Sequence, residues 1–175
     1  MASFKIHSRE KTMRDIGEWL TIIEQHHKAT GRSDGCIVLF PRYRPDLCML
    51  LANHLGLDFF DYRVEEMQQL GADAGSLTLE QLNKSLRTRA EVSGIVSHNV
   101  EALLCVSSES ERRAWFHEFL GSEWPNPVFL PVTVFQADVP DDHPRVCDLE
   151  LLKMPSETLA TAAQSDASMK YDITL

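Results

Sequence analysis

Apolar residues along this chain fall into two patterns that alternate. An unbroken run occurs at Cys36-Ile-Val-Leu-Phe40, and further strand candidates stand at Leu57 to Tyr62, Ile95 to Ser97 and Val128 to Phe135. Short runs of this kind, bounded by Gly or Pro, suit strands buried on both faces of a parallel sheet. Between the runs, apolar positions recur three and four apart, the spacing of one helix face. Met13, Ile16, Trp19, Leu20 and Ile23 mark a helix from Thr12 to His27. Leu47, Leu50, Leu51, His54 and Leu55 mark a second, with Gly56 placed as the left-handed residue that ends it. Leu79, Leu82 and Leu86 mark a third. Trp115, Phe116, Phe119 and Leu120 mark a fourth, stopped by Gly121. Thr78 with Gln81, and Ser108 with Glu111, stand at capping-box spacing before the last two. Val64 to Gly75 follows neither pattern, and Met67 and Leu70 fit only a short helical turn there.

Helices alternating with strands predict a single-domain three-layer α/β sandwich on a mostly parallel, five-stranded sheet. The fifth strand is expected at the sheet edge, over Val146 to Met154. Gly31 to Gly35 and Asp138 to Pro144 read as loops of turn-forming residues. Pro131 stands in the middle of the fourth run, where it favours an edge strand or a bulge. The α/β domain is expected over residues 1–155, with a flexible arm at residues 1–10. Residues 156–175, rich in Ser, Ala, Thr and Asp, read as a loosely ordered tail. No internal repeat interrupts this order.

Composition narrows the class. A length of 175 residues fits one domain with a sizeable core. The formal net charge of −9 disfavours broad electrostatic binding to nucleic acid, where affinity scales with neutralised phosphates. The four cysteines, Cys36, Cys48, Cys105 and Cys147, form no Cys-x-x-Cys pair, and three lie in apolar runs. The chain is therefore expected in a reducing cytoplasm, without disulfides. The N-terminal residues carry no apolar signal core, and no run reaches the roughly 18 apolar residues of a membrane span.

The stretch Gly94 to Val106 sets the chemistry. Ile95-Val-Ser-His-Asn-Val-Glu101 joins an apolar strand to a polar triplet and an acid. This segment resembles the second nucleotide motif of P-loop ATPases, and Gln136 sits where that fold places a polar sensor residue. The order of pieces over roughly residues 35 to 150 is similar to the small P-loop subunit of BREX phage-defence systems. The resemblance implies a P-loop-NTPase-like domain, but not its chemistry. The family's phosphate loop needs glycines, a Lys and a Ser or Thr. The turn after Phe40 reads Pro41-Arg42-Tyr43-Arg44-Pro45, with no glycine, lysine or hydroxyl residue and with two donors removed by proline. His98 holds the place of the metal-organising acid, although magnesium prefers oxygen ligands. Glu101 could orient a water only if nucleotide were bound. The expectation is a non-catalytic domain without a Walker A loop, cofactor or metal, acting by binding another protein of a multi-subunit complex.

Arg42, Tyr43 and Arg44 are the foremost contact group. They could meet a protein partner, or hold a phosphate backbone and stack a base. His98, Asn99 and Glu101 read either as satisfied groups at a strand end or as a general-base site, with Cys105 close in sequence as a candidate nucleophile. Trp124, between Glu123 and Pro125, reads either as a core lid or as an exposed anchor for a partner. Glu109 to Arg113 reads as a solvated helix face. His143 and Cys147, even with His26 and His27, lack the tight paired spacing of a zinc site.

Overall fold

A computed structural model describes residues 17–29 and 34–149. The expected arm, the first helix up to Ile16, residues 30–33, the strand beyond Leu149 and the tail lie outside them. Residues 17–29 form helix α1. There follow β1 (Gly35–Leu39), α2 (Pro45–Leu55), β2 (Asp58–Asp61), a helical connection that includes α3 (Gln68–Leu70), α4 (Leu79–Val92) and β3 (Ile95–His98). The one-turn α5 (Glu101–Leu104), then α6 (Glu109–Gly121), β4 (Val128–Val132) and β5 (Val146–Asp148) complete the order.

The five strands form one sheet in the order β2-β3-β4-β1-β5, with every neighbouring pair parallel. Alternate residues of each strand point to opposite faces. Cys36, Val38, Val96, Phe129 and Cys147 meet Trp19, Leu20 and Ile23 of α1 and Leu47 and Leu51 of α2. Ile37, Phe60, Ile95, Val128, Leu130 and Val132 meet α4, α5 and α6 through Leu82, Leu86, Leu103, Trp115, Phe116 and Phe119. Two apolar layers thus sandwich the sheet, which explains why its interior strands β1 and β4 read as apolar runs rather than alternating ones.

The local signals act as expected. The side chains of Thr78 and Ser108 accept from the N–H groups of Gln81 and Glu111, and each capping box closes reciprocally. Gly56 ends α2 at φ 65°, ψ 35°. Arg89, in the last turn of α4, reaches Glu65 at 3.0 Å and lies 4.5 Å over the Phe60 ring. Gly35 is fixed by packing, since a Cβ there would sit 2.8 Å from Trp124 Nε1 and 2.9 Å from Phe119.

Pro131 corrects an expectation. It lies in an interior strand, in one-to-one register with β1 from Gly35↔Val128 to Leu39↔Val132, so there is no bulge on that side. The Ile95 N–H donates to Pro127 O, and the Phe40 N–H to Val132 O. Odd positions of β4 therefore face β3 and even ones face β1. Pro131 spends its missing N–H on the β3 side, and there the pairing stops after Val96↔Phe129. Ser97, the next residue of β3, is fully buried, and its hydroxyl has no hydrogen-bond partner among the described residues. One proline parts β3 from β4 at their carboxyl ends and leaves the rest of the ladder intact.

Candidate functional site

Open parallel sheets bind ligands outside the carboxyl ends of their strands, where neighbouring strands send their chains in opposite directions. Here β1 leads through α2 to β2 at the far edge, while its neighbour β4 leads the other way to β5. The turns after β1, β3 and β4 meet at this point. They bring together Tyr43, His98, Asn99, Glu101 and Gln136, residues from 43 to 136 in the sequence.

The turn after β1 leads directly into α2. Pro45 takes the first position of α2, where a missing N–H costs nothing. Asp46 follows in the first turn and supplies the negative charge that the helix N-terminus attracts. Arg44 grips that carboxylate with two hydrogen bonds, Nε to Oδ1 at 2.8 Å and Nη2 to Oδ2 at 2.6 Å. Burial pushes the Asp46 carboxyl up, but Arg44 and backbone N–H groups outweigh it and hold it below its ordinary range. Arg42 is exposed and has no ion pair among the described residues. Two arginines adjacent in pattern therefore differ in state, one committed to its own helix and one facing solvent.

Tyr43 folds back over the strand ends. Its ring lies 5.2 Å from that of His98, which is itself 5.8 Å from Phe59. The hydrogen-bond directions follow from the acid at the end of the row. Asn99 Nδ2 lies 3.0 and 2.9 Å from the two carboxylate oxygens of Asp61, so the amide nitrogen donates there. The amide oxygen is left to accept from Tyr43 O–H at 3.1 Å. With its one proton spent, the Tyr43 oxygen accepts from His98 Nε2 at 3.2 Å. His98 Nε2 thus carries a proton. Burial pushes its pKa down, opposed by the charge of Asp61. Asn99 adopts φ 60°, a left-handed conformation that Asn tolerates better than most residues.

Glu101 faces the turn after β4. Its Oε2 accepts from Thr133 N–H at 3.0 Å, and its Oε1 accepts from Val134 N–H at 2.7 Å and Phe135 N–H at 2.9 Å. Both oxygens of this carboxylate thus accept from the backbone of the β4 turn. Gln136 Nε2 donates to Phe40 O at 2.6 Å and to Thr133 O at 3.1 Å, tying the ends of β1 and β4 together.

Other sequence candidates fall elsewhere. Trp124, read as a possible exposed anchor, is 3 % exposed and belongs to the core. Its Nε1 donates to Phe119 O at 3.2 Å, and Arg87 covers its ring at 5.2 Å. Cys105 is exposed, with its thiol on Ala102 O of its own turn at 2.9 Å. Burial pushes the Cys36 and Cys48 thiols up, and that of Cys147 to about 11, so the buried cysteines are protonated at neutral pH. His143 Nδ1 accepts from the Arg145 N–H. Among the described residues no group of three or more His, Cys, Asp or Glu could hold a metal ion, and no helix is long and apolar enough to cross a membrane.

Two elements of the site escaped sequence reasoning. Asp61 closes the Asn99 row, which only its register opposite His98 reveals. Arg112, in the run read as a solvated face, donates to Asp138 Oδ2 at 2.5 Å and to Ser107 O at 2.6 Å, and covers the Phe135 ring at 4.2 Å. Asp138 is 7 % exposed. The signal was the pairing of a loop acid with an arginine one turn into a helix, which is visible only once α6 is known to border the β4 turn. Comparison with protein-family models, with curated proteins and with solved structures finds no match to this chain.

Proposed function

We propose that the chain is a non-catalytic, P-loop-ATPase-like accessory subunit that works by binding another protein. The observation that carries this reading is Glu101. At the carboxyl rim, where an anionic ligand would sit, the turn after β4 already spends three N–H groups on the chain's own carboxylate. Asp46 adds a second negative charge at the start of α2, where a phosphate would otherwise meet the helix N-terminus. Tyr43 closes on Asn99 and His98, and Gln136 on Phe40 O and Thr133 O. Outward the rim presents Arg42 and the half-exposed ring of Tyr43, residue types that often dominate protein interfaces, beside the exposed Val134. By the sequence resemblance, the partner belongs to a multi-subunit phage-defence complex. Isothermal titration with ATP and magnesium tests the reading: no heat of binding is expected, and micromolar affinity would remove it.

Arg42, exposed beside an aromatic ring, also favours a second reading, single-stranded nucleic-acid binding by charge and stacking. It predicts that Arg42→Ala lowers affinity and flattens the salt dependence in a gel-shift titration. The pairing of Arg44 with Asp46 weakens it by leaving one cation where the sequence offered two.

A further inference from the structure

We propose that the Thr133–Phe135 turn is an anion cradle kept filled by Glu101, and that it takes a carboxylate or phosphoryl oxyanion when that side chain is withdrawn. Three consecutive N–H groups converge on one carboxylate at 2.7 to 3.0 Å. Successive N–H groups pointing into one concavity are a general way to bind anions. The internal carboxylate is an autoinhibitory contact: it satisfies the donors and excludes any competing anion.

The cradle does not depend on Glu101 for its shape. Gln136 holds Thr133 O from the opposite side and anchors it to Phe40 O. The Asp138 N–H closes the turn on Phe135 O at 3.0 Å. Arg112 clamps Asp138 and covers the Phe135 ring. Val132, just before the turn, is fixed to β1 by the Phe40 N–H. On the other side α5 is held by its own backbone bonds, Ala102 N–H to Asn99 O and Leu103 N–H to Val100 O. Removing the Glu101 side chain therefore leaves three preorganised donors facing an empty space the size of a carboxylate. A tethered group acts at an effective concentration in the millimolar range or above. Free anions at ordinary concentrations do not displace it. Occupancy by an outside anion is conditional on something that draws the Glu101 side chain away, such as a partner that supplies its own acidic group together with further contacts.

The experiment compares native protein with Glu101→Ala by amide NMR, titrating acetate, phosphate and, as an ionic-strength control, chloride. In Glu101→Ala, acetate or phosphate is expected to shift the Thr133, Val134 and Phe135 amide protons saturably, while native protein shows no saturable shift there. The acetate and phosphate arms separate a carboxylate site from a phosphoryl one. A folded Glu101→Ala whose three amides respond no more than to chloride overturns the proposal. If that variant unfolds, restoration of its amide spectrum by acetate or formate supports the cradle. Failure of every anion to restore it, with native amide positions kept in Glu101→Gln, overturns it. ATP binding to the native chain would sink the functional reading alone, so the two fail separately.

Discussion

Substituting Asn99 separates a conformational cost from the hydrogen bonds that offset it. Its φ of 60° puts a side chain where most L-residues lose about 1–2 kcal/mol. Its amide meets both oxygens of Asp61 and accepts from Tyr43. Hydrogen bonds to a charged group contribute about 1.5–3 kcal/mol, and a neutral one about 1 kcal/mol. Asn99→Gly loses the bonds but suits the conformation, at the expense of a more flexible unfolded chain, so we expect a loss of about 2–3 kcal/mol. Asn99→Ala loses the same bonds and keeps a Cβ at positive φ, which adds about 1 kcal/mol. Tyr43→Phe alone should lose about 1 kcal/mol. Combined with Asn99→Gly it should be less than additive by a similar amount, because both remove one shared bond. Urea unfolding of the four variants, with unchanged dependence on denaturant, gives these differences directly. An Asn99→Gly protein as stable as the native one would show that the Asp61–Asn99–Tyr43 row contributes nothing. Equal losses for Ala and Gly would show that the left-handed backbone carries no cost.

Three further outcomes follow from the packing. Arg112→Ala leaves Asp138 buried without its main partner and uncovers Phe135, so a loss of about 3 kcal/mol is expected by thermal melting; Asp138→Asn, which removes the charge as well, should lose less, and the reverse order would contradict the assignment. Burial holds the pKa of His27, His98 and His143 below the ordinary 6.5, so the unfolded chain binds more protons. Stability should therefore fall as pH drops below about 6.5, and His98→Gln should make the urea midpoint less steep between pH 7.5 and 5.5; an unchanged slope would remove His98 from the account. Gly35→Ala should lose about 1–3 kcal/mol, because its methyl meets Trp124 and Phe119 below 3.0 Å. A native-like melting temperature would show that these rings move aside freely.

The parts legible in the sequence are those whose causes are local. Thr78 with Gln81, Ser108 with Glu111, and Gly56 each act within a few residues, and each ends or begins a helix as read. The runs at Cys36–Phe40 and Val128 onward announced buried strands because both of their faces are covered. Pro131 misled because its missing N–H points only toward β3, and β3 and β4 no longer pair at that position, so the interior strand is locally an edge on that side. Trp124 stayed open between core lid and anchor because neighbouring Pro125 and Pro127 suggested an exposed loop, while the ring fills the space that Gly35 leaves beneath it. Of the rim, the residue types at 43, 98, 99, 101 and 136 were visible, but not their partners. Asp61 and Asn99 are 38 residues apart, Glu101 and the β4 turn more than 30, and only the strand order makes them neighbours.

Among the described strands, the earliest in the chain lies inside the sheet. β1 has no neighbour until residues 128–132 and 146–148 exist, because it lies between β4 and β5. A growing polypeptide must therefore carry Cys36–Phe40, one of its most water-averse stretches, with both strand edges unpaired until residues 128–148 have been made. Closing so long a loop slows productive folding and prolongs exposure to aggregation. Chains cut short of residue 128 should be recovered as insoluble or chaperone-bound material, however well their helices form.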